Sequence, residues 1–88
     1  MLVKINDMHL CTTFDISEGG LYVNTCQGLS QGLVVTVSME HGGEKIEVKA
    51  RVKHVEEGIG AGIMFIDLDD ALRKKINKMI AEVQGVSG

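Results

Sequence analysis

Between Lys45 and Lys53 the chain alternates without a break: Ile46, Val48, Ala50 and Val52 fall on one parity, Lys45, Glu47, Lys49, Arg51 and Lys53 on the other. Successive side chains of a β-strand project to opposite faces, so this stretch demands a strand with one dry and one wet face. Antiparallel sheets solvated on one side use such strands. Just upstream, Leu33-Val-Val-Thr-Val-Ser-Met39 is rich in β-branched residues. Glu40-His-Gly-Gly-Glu44 then supplies a glycine turn, so the pair reads as a hairpin.

Shorter strands are predicted at Leu10–Ile16, Leu21–Asn24 and Ile59–Ile66, with Leu2–Ile5 added as an edge. Gly60 and Gly62 lie inside the fifth strand, where glycine marks a bend or a close backbone approach. The tail changes period: Leu68, Leu72, Ile76, Met79, Ile80 and Val83 recur at helical spacing, with Arg73, Lys74, Asn77, Lys78 and Glu82 between them. Asp67, Asp69 and Asp70 suit its N-terminus, and Gly85 its end. The fold class is therefore mainly β, a small antiparallel β-barrel with a C-terminal amphipathic α-helix packed across an opening. It is read as a single domain over residues 1–88, with the helix at about 69–84 and 85–88 frayed. The apolar stripe is expected to bury Leu72 and Ile76 against the barrel. Part of it otherwise docks a protein partner or a second copy of the chain.

Composition narrows the function. The 88 residues carry 9 Lys+Arg against 12 Asp+Glu, a net charge of −3, which argues against nucleic acid as a partner because a basic field supplies most of that affinity. One small anion needs only a local cluster of donors. The absence of Trp, with Phe14, Tyr22 and Phe65 the only aromatics, argues against a stacking platform for single strands. No apolar run is long enough for a membrane span or a signal peptide, and a reduced cytoplasmic setting is expected. Nothing in the spacing of Cys11 and Cys26 demands a bridge. His9, Cys11, Cys26, His41 and His54 lack metal-site spacing, so no metal is expected. Gly58-x-Gly60-x-Gly62 lacks the third spacing of a nucleotide loop and reads as a bent strand. The methionines are scattered, as core fillers are. Glu56, Glu57, Asp67, Asp69 and Asp70 have no paired nucleophile or base, and no catalytic constellation is present.

Asp15-Ile-Ser-Glu-Gly-Gly20 rises above generic β architecture. It places an acceptor-only carboxylate, a hydroxyl and two glycines at a bend between strands. Gly19 and Gly20 would permit φ > 0 and a close approach of the main chain to a partner. The same residues also make an Asx or Ser turn with no ligand at all.

Asp15-x-Ser17-x-x-Gly20 resembles the D/N-x-S-x-x-G motif of the PilZ domain family. The likeness continues through Gly20-Leu-Tyr-Val-Asn24, Gly32-Leu-Val-Val, Ala50-Arg-Val-Lys-His-Val55, Gly58-Ile-Gly-Ala-Gly-Ile-Met-Phe65 and the helix from Asp69. In that family the turn holds a guanine of cyclic di-GMP, and an upstream R-x-x-x-R segment clamps the phosphates. The resemblance implies a non-enzymatic module in bacterial second-messenger signalling, with cyclic di-GMP as ligand, no cofactor, and Asp15, Ser17, Gly19 and Gly20 as ligand-binding residues. The arginines depart from the pattern. Residues 1–14 contain none, Lys4 is the only cation before the motif, and Arg51 and Arg73 lie on a later strand and on the helix. Either the chain starts downstream of the arginine segment, or it belongs with atypical members that bind weakly or not at all. The competing expectation is an adaptor that keeps the fold and has lost nucleotide binding.

Overall fold

The computed structural model describes residues 2–6, 8–24 and 28–83, with Phe14 described by its backbone alone. Cys26, whose spacing from Cys11 demands no bridge, and Gly85, expected to end the helix, lie outside the described residues. Six strands and one helix follow in order: β1 (Leu2–Ile5), β2 (His9–Ile16), β3 (Gly20–Asn24), β4 (Val34–His41), β5 (Glu44–Glu56), β6 (Gly60–Phe65) and α1 (Asp70–Val83). Every neighbouring pair is antiparallel, and the ring closes as β1-β2-β3-β6-β5-β4.

The hairpin expected from the alternating strand is β4–β5. Its last pair is His41 with Glu44, and the two residues between them, Gly42 and Gly43, have φ of 61° and 82°. Positive φ at both central positions defines the turn whose twist matches that of the flanking strands, and glycine adopts it without strain. From there the alternation does its work: Ile46, Val48, Ala50 and Val52 are buried, and the charged residues between them are exposed.

Leu2–Ile5 is not an edge. It pairs with β2 through Val3 with Cys11 and Ile5 with His9, and with β4 through Val3 with Met39 and Ile5 with Val37. Both of its hydrogen-bonding sides are used, and Val3 and Ile5 are buried to 1% and 0% exposure. The physical reason is closure: a strand that fills the gap between two edges leaves no row of unpaired amides. Asn6 leaves the strand with φ 55°, a conformation asparagine tolerates better than most residues. Its backbone N–H donates to the Thr36 carbonyl at 2.8 Å, and its Oδ1 accepts from the Thr36 N–H at 2.8 Å.

The helix begins where Asp69 Oδ1 accepts from the Leu72 N–H at 2.7 Å, an N-cap bond. It packs on β5 and inserts Ile76 and Met79 into the core, with Leu68, Leu72, Ile80 and Val83 flanking them half-buried. Leu72 is thus less buried than expected. It sits in the first turn, at the rim, one turn before the residues that point into the barrel. The methionines divide as well. Met39 and Met79 fill the core, whereas Met64 is carried outward by the parity of β6 and Met8 lies exposed after the first turn.

Truncating a core Ile leaves a cavity and typically costs about 2–5 kcal/mol. Ile76→Ala should therefore lower the melting temperature sharply, and Leu72→Ala should lower it less. Lys78→Ala on the exposed face should stay within about 0.5 kcal/mol of the parent. Thermal melts followed by circular dichroism check all three.

Candidate ligand-binding site

The turn between β2 and β3 is closed by its own backbone. The Ser17 N–H donates to the Gly20 carbonyl at 2.8 Å, the Gly20 N–H returns to the Ser17 carbonyl at 3.4 Å, and Ser17 Oγ also donates to the Gly20 carbonyl at 3.3 Å. The Phe65 N–H donates to the Gly19 carbonyl at 2.9 Å and ties the turn to the end of β6. Ser17 and Gly19 are exposed and Gly20 is half-buried. The expectation that Gly19 and Gly20 supply positive φ is not met, because neither lies in that region. Gly20 is required for a steric reason instead: a Cβ there would run into the Ile63 carbonyl oxygen of the neighbouring strand. Gly19 faces open space.

A β-bulge decides where Asp15 points. Thr13 pairs with Val23, but the next pair is Asp15 with Tyr22, so Phe14 is an extra residue in β2. Cys11 and Thr13 face inward. Strict alternation would send Asp15 inward too, and the inserted residue turns it out to solvent while Ile16 takes the next buried place. The Thr13 hydroxyl, buried beneath the bulge, donates to the Tyr22 carbonyl at 2.6 Å. A second bulge does the same in β5. Val52 pairs with Ile63 and His54 with Gly62, which turns His54 outward after a run of buried even-numbered residues.

The outer wall then carries two rows of residues in register. One runs Asp15, Tyr22, Gly62, His54; the other runs Gly20, Met64, Arg51. Tyr22 lies against Gly60, where a Cβ would sit 2.7 Å from Tyr22 Cε1, and His54 lies against Gly62, where a Cβ would sit 2.6 Å from His54 Cε1. The two rings, with centroids 6.3 Å apart and tilted by 46°, form a low platform on the glycines of β6. Glu56 holds the tyrosine: the Tyr22 hydroxyl donates to its Oε1 at 3.0 Å, and His54 Nε2 lies 3.9 Å from the same oxygen, an ion pair only when the imidazole is protonated. The Tyr22 pKa is raised above that of free tyrosine, first by desolvation and then by the hydrogen bond to Glu56 and its negative charge.

On the other side of the turn, Arg73 Nε lies 3.7 Å from Glu18 Oε1. Both border an open depression of about 440 Å³, lined also by Gly19, Met64 and Asp67. Among the described residues, no three metal-ligating side chains come together and no helix is long and apolar enough to cross a membrane.

A family model for the PilZ domain matches residues 3–82, nearly the whole chain. The chain belongs to the PilZ domain family. PilZ domains are binding domains, and the family is one of cyclic di-GMP receptors. No curated protein matches the chain. Sequence reasoning on this PilZ chain missed the platform of Tyr22 and His54, because alternation alone gives His54 the wrong face. The available signal was the pair of glycines at 60 and 62, bare backbone that aromatic neighbours cover.

Two outcomes follow for this wall. Gly20→Ala should destabilise by about 1–3 kcal/mol, since β3 and β6 must part to admit the methyl group. Ser17→Ala should cost less, and Gly19→Ala should stay within about 0.5 kcal/mol; denaturant titrations compare them. Separately, Glu56→Gln should bring the ionisation of the one tyrosine in the chain part of the way back towards the ordinary range. Removing the carboxylate takes away its charge and leaves the partial burial in place, and ultraviolet absorbance against pH reads the change.

Proposed function

We propose that this PilZ chain binds cyclic di-GMP on the outer wall of the barrel, beside the Asp15–Gly20 turn, and signals by changed contacts rather than by chemistry. One observation carries the reading: the bulge at Phe14 turns an exposed carboxylate outward onto the wall that holds Tyr22 and His54. Asp15 only accepts, which suits the N–H edge of guanine, and the Ser17 oxygen retains acceptor capacity beside it. A base lying over Tyr22 and His54 would stack, an interaction worth about 1–3 kcal/mol per base. The bare backbone of Gly19 lets the ligand approach the turn. The bacterial cytoplasm is where such a module would act, with the described fold working as one domain.

A specific observation also supports the adaptor reading. Leu2, Met8 and Leu10 are exposed to 55%, 78% and 64%. Leu2 and Leu10 border a groove of about 820 Å³ whose lining, among the described residues, includes none of the turn. A protein that uses this surface needs no nucleotide.

Without an R-x-x-x-R segment in residues 1–14, affinity should be modest, because bidentate guanidinium contacts to phosphate are among the strong hydrogen bonds. Isothermal titration with cyclic di-GMP at low salt should give a dissociation constant no tighter than about 1 μM, equivalent to roughly −8 kcal/mol. Asp15→Ala should weaken it further. An absence of heat at millimolar ligand would leave the adaptor reading standing and end this one.

A further inference from the structure

We propose that Arg51 is the phosphate anchor of this site, reaching it from β5 rather than from a segment before the turn. The inference rests on the cyclic dinucleotide reading above.

The register selects this cation from the others. Lys4 pairs with Leu10 on β2 and Ser38 on β4, five positions along β2 from Asp15, and it borders the groove of Leu2 and Leu10. It is on a different part of the wall. Arg73 is beside the turn but already faces Glu18 at 3.7 Å, with Asp67 on the same depression. Arg51 pairs with Met64, and Met64 pairs with Gly20. Two strand spacings put the Arg51 backbone about 10 Å from that of Gly20 on the same outward face. A long arginine stem covers much of that span, and a cyclic dinucleotide lying over Met64 covers the rest.

The surroundings of Arg51 fit an anion. Its lateral neighbours are Val34 and Met64, both exposed and apolar, at 45% and 43%. Lys49 and Lys53 flank it along β5, both exposed. Among the described residues Arg51 makes no ion pair and no side-chain hydrogen bond. In a chain with more acids than bases, this is a strip of three cations that make no ion pair among the described residues. The strip borders the row of Asp15, Tyr22 and His54, so a guanine on that row would hold its phosphodiester towards Arg51. A guanidinium fork can then grip two phosphate oxygens at once.

The test is titration of cyclic di-GMP into the wild type and the variants Asp15→Ala, Arg51→Ala, Arg51→Lys and Lys4→Ala. Arg51→Ala should weaken binding by about tenfold or more, the effect expected of a charge-assisted hydrogen bond. Arg51→Lys should recover part of the loss, because a point charge replaces the fork. Lys4→Ala should change affinity by less than about twofold, since exposed charges a Debye length apart are largely screened. Added salt should weaken the wild type more than Arg51→Ala. Melting curves of Arg51→Ala should match the parent, because the side chain is exposed and unpartnered. If the wild type binds and Asp15→Ala weakens it while Arg51→Ala does not, the anchor is overturned and the site stands. If the wild type does not bind, both fall.

Discussion

The structure depends on closing a ring of short strands, and a strand of four residues closes it. β1 fills the gap between β2 and β4 by pairing on both sides, and Val3 and Ile5 then seal the core from that wall. A closed sheet has no edge to protect, but its strands must coil tightly, and bulges are the usual means of bending a strand. The bulges at Thr13/Asp15 and Val52/His54 sit on either side of the β3–β6 pair. Each also inverts the facing of the residues beyond it. The constraint that shapes the barrel therefore also presents Asp15 and His54 to solvent, and the proposed site needs no separate device.

Glycine finishes that wall. At one end of the β3–β6 pair a Cβ on Gly20 would meet the Ile63 carbonyl, and at the other a Cβ on Gly60 would meet the Val23 carbonyl. The strands are drawn together at both ends by backbone that admits no side chain. Between those ends, Tyr22 and His54 occupy the space that larger residues on β6 would have filled. Their rings cover exposed backbone whether or not a ligand arrives, which gives them a structural role independent of any nucleotide. The same tilted pair of rings is the surface over which a base would lie in the proposed reading.

The parts legible in the sequence were those governed by local periodicity. The alternation at Lys45–Lys53, the glycine pair at 42–43 and the helical stripe from Leu68 to Val83 each correspond to an element of the structure, and together they gave the mainly β class. The parts that were not legible depend on partners distant in sequence. Leu2–Ile5 reads as an edge because nothing local says that both its sides are taken. Strict alternation cannot announce a bulge, so the outward turn of Asp15 and of His54 was hidden. The motif marked Gly20, but for the wrong reason, since its constraint is a carbonyl on β6 rather than its own φ. Arg51 could be placed beside the turn only once the register from β3 through β6 to β5 was known.

The tethers of the turn differ in strength, and this bears on what a ligand there could move. On the sheet side the turn is held by backbone: the Phe65 N–H on the Gly19 carbonyl, the paired Ser17 and Gly20, and the close approach of Gly20 to Ile63. On the helix side it is held by the Glu18–Arg73 pair, whose side chains are each about half exposed. Exposed ion pairs are worth about 0–1 kcal/mol, whereas the helix itself is fixed by Ile76 and Met79 in the core. The Asp15–Gly20 turn is accordingly rigid towards Tyr22, Met64 and Arg51 and soft towards Arg73. A rigid wall favours binding without a cost for ordering the site, and the soft side is where a change of contacts costs least.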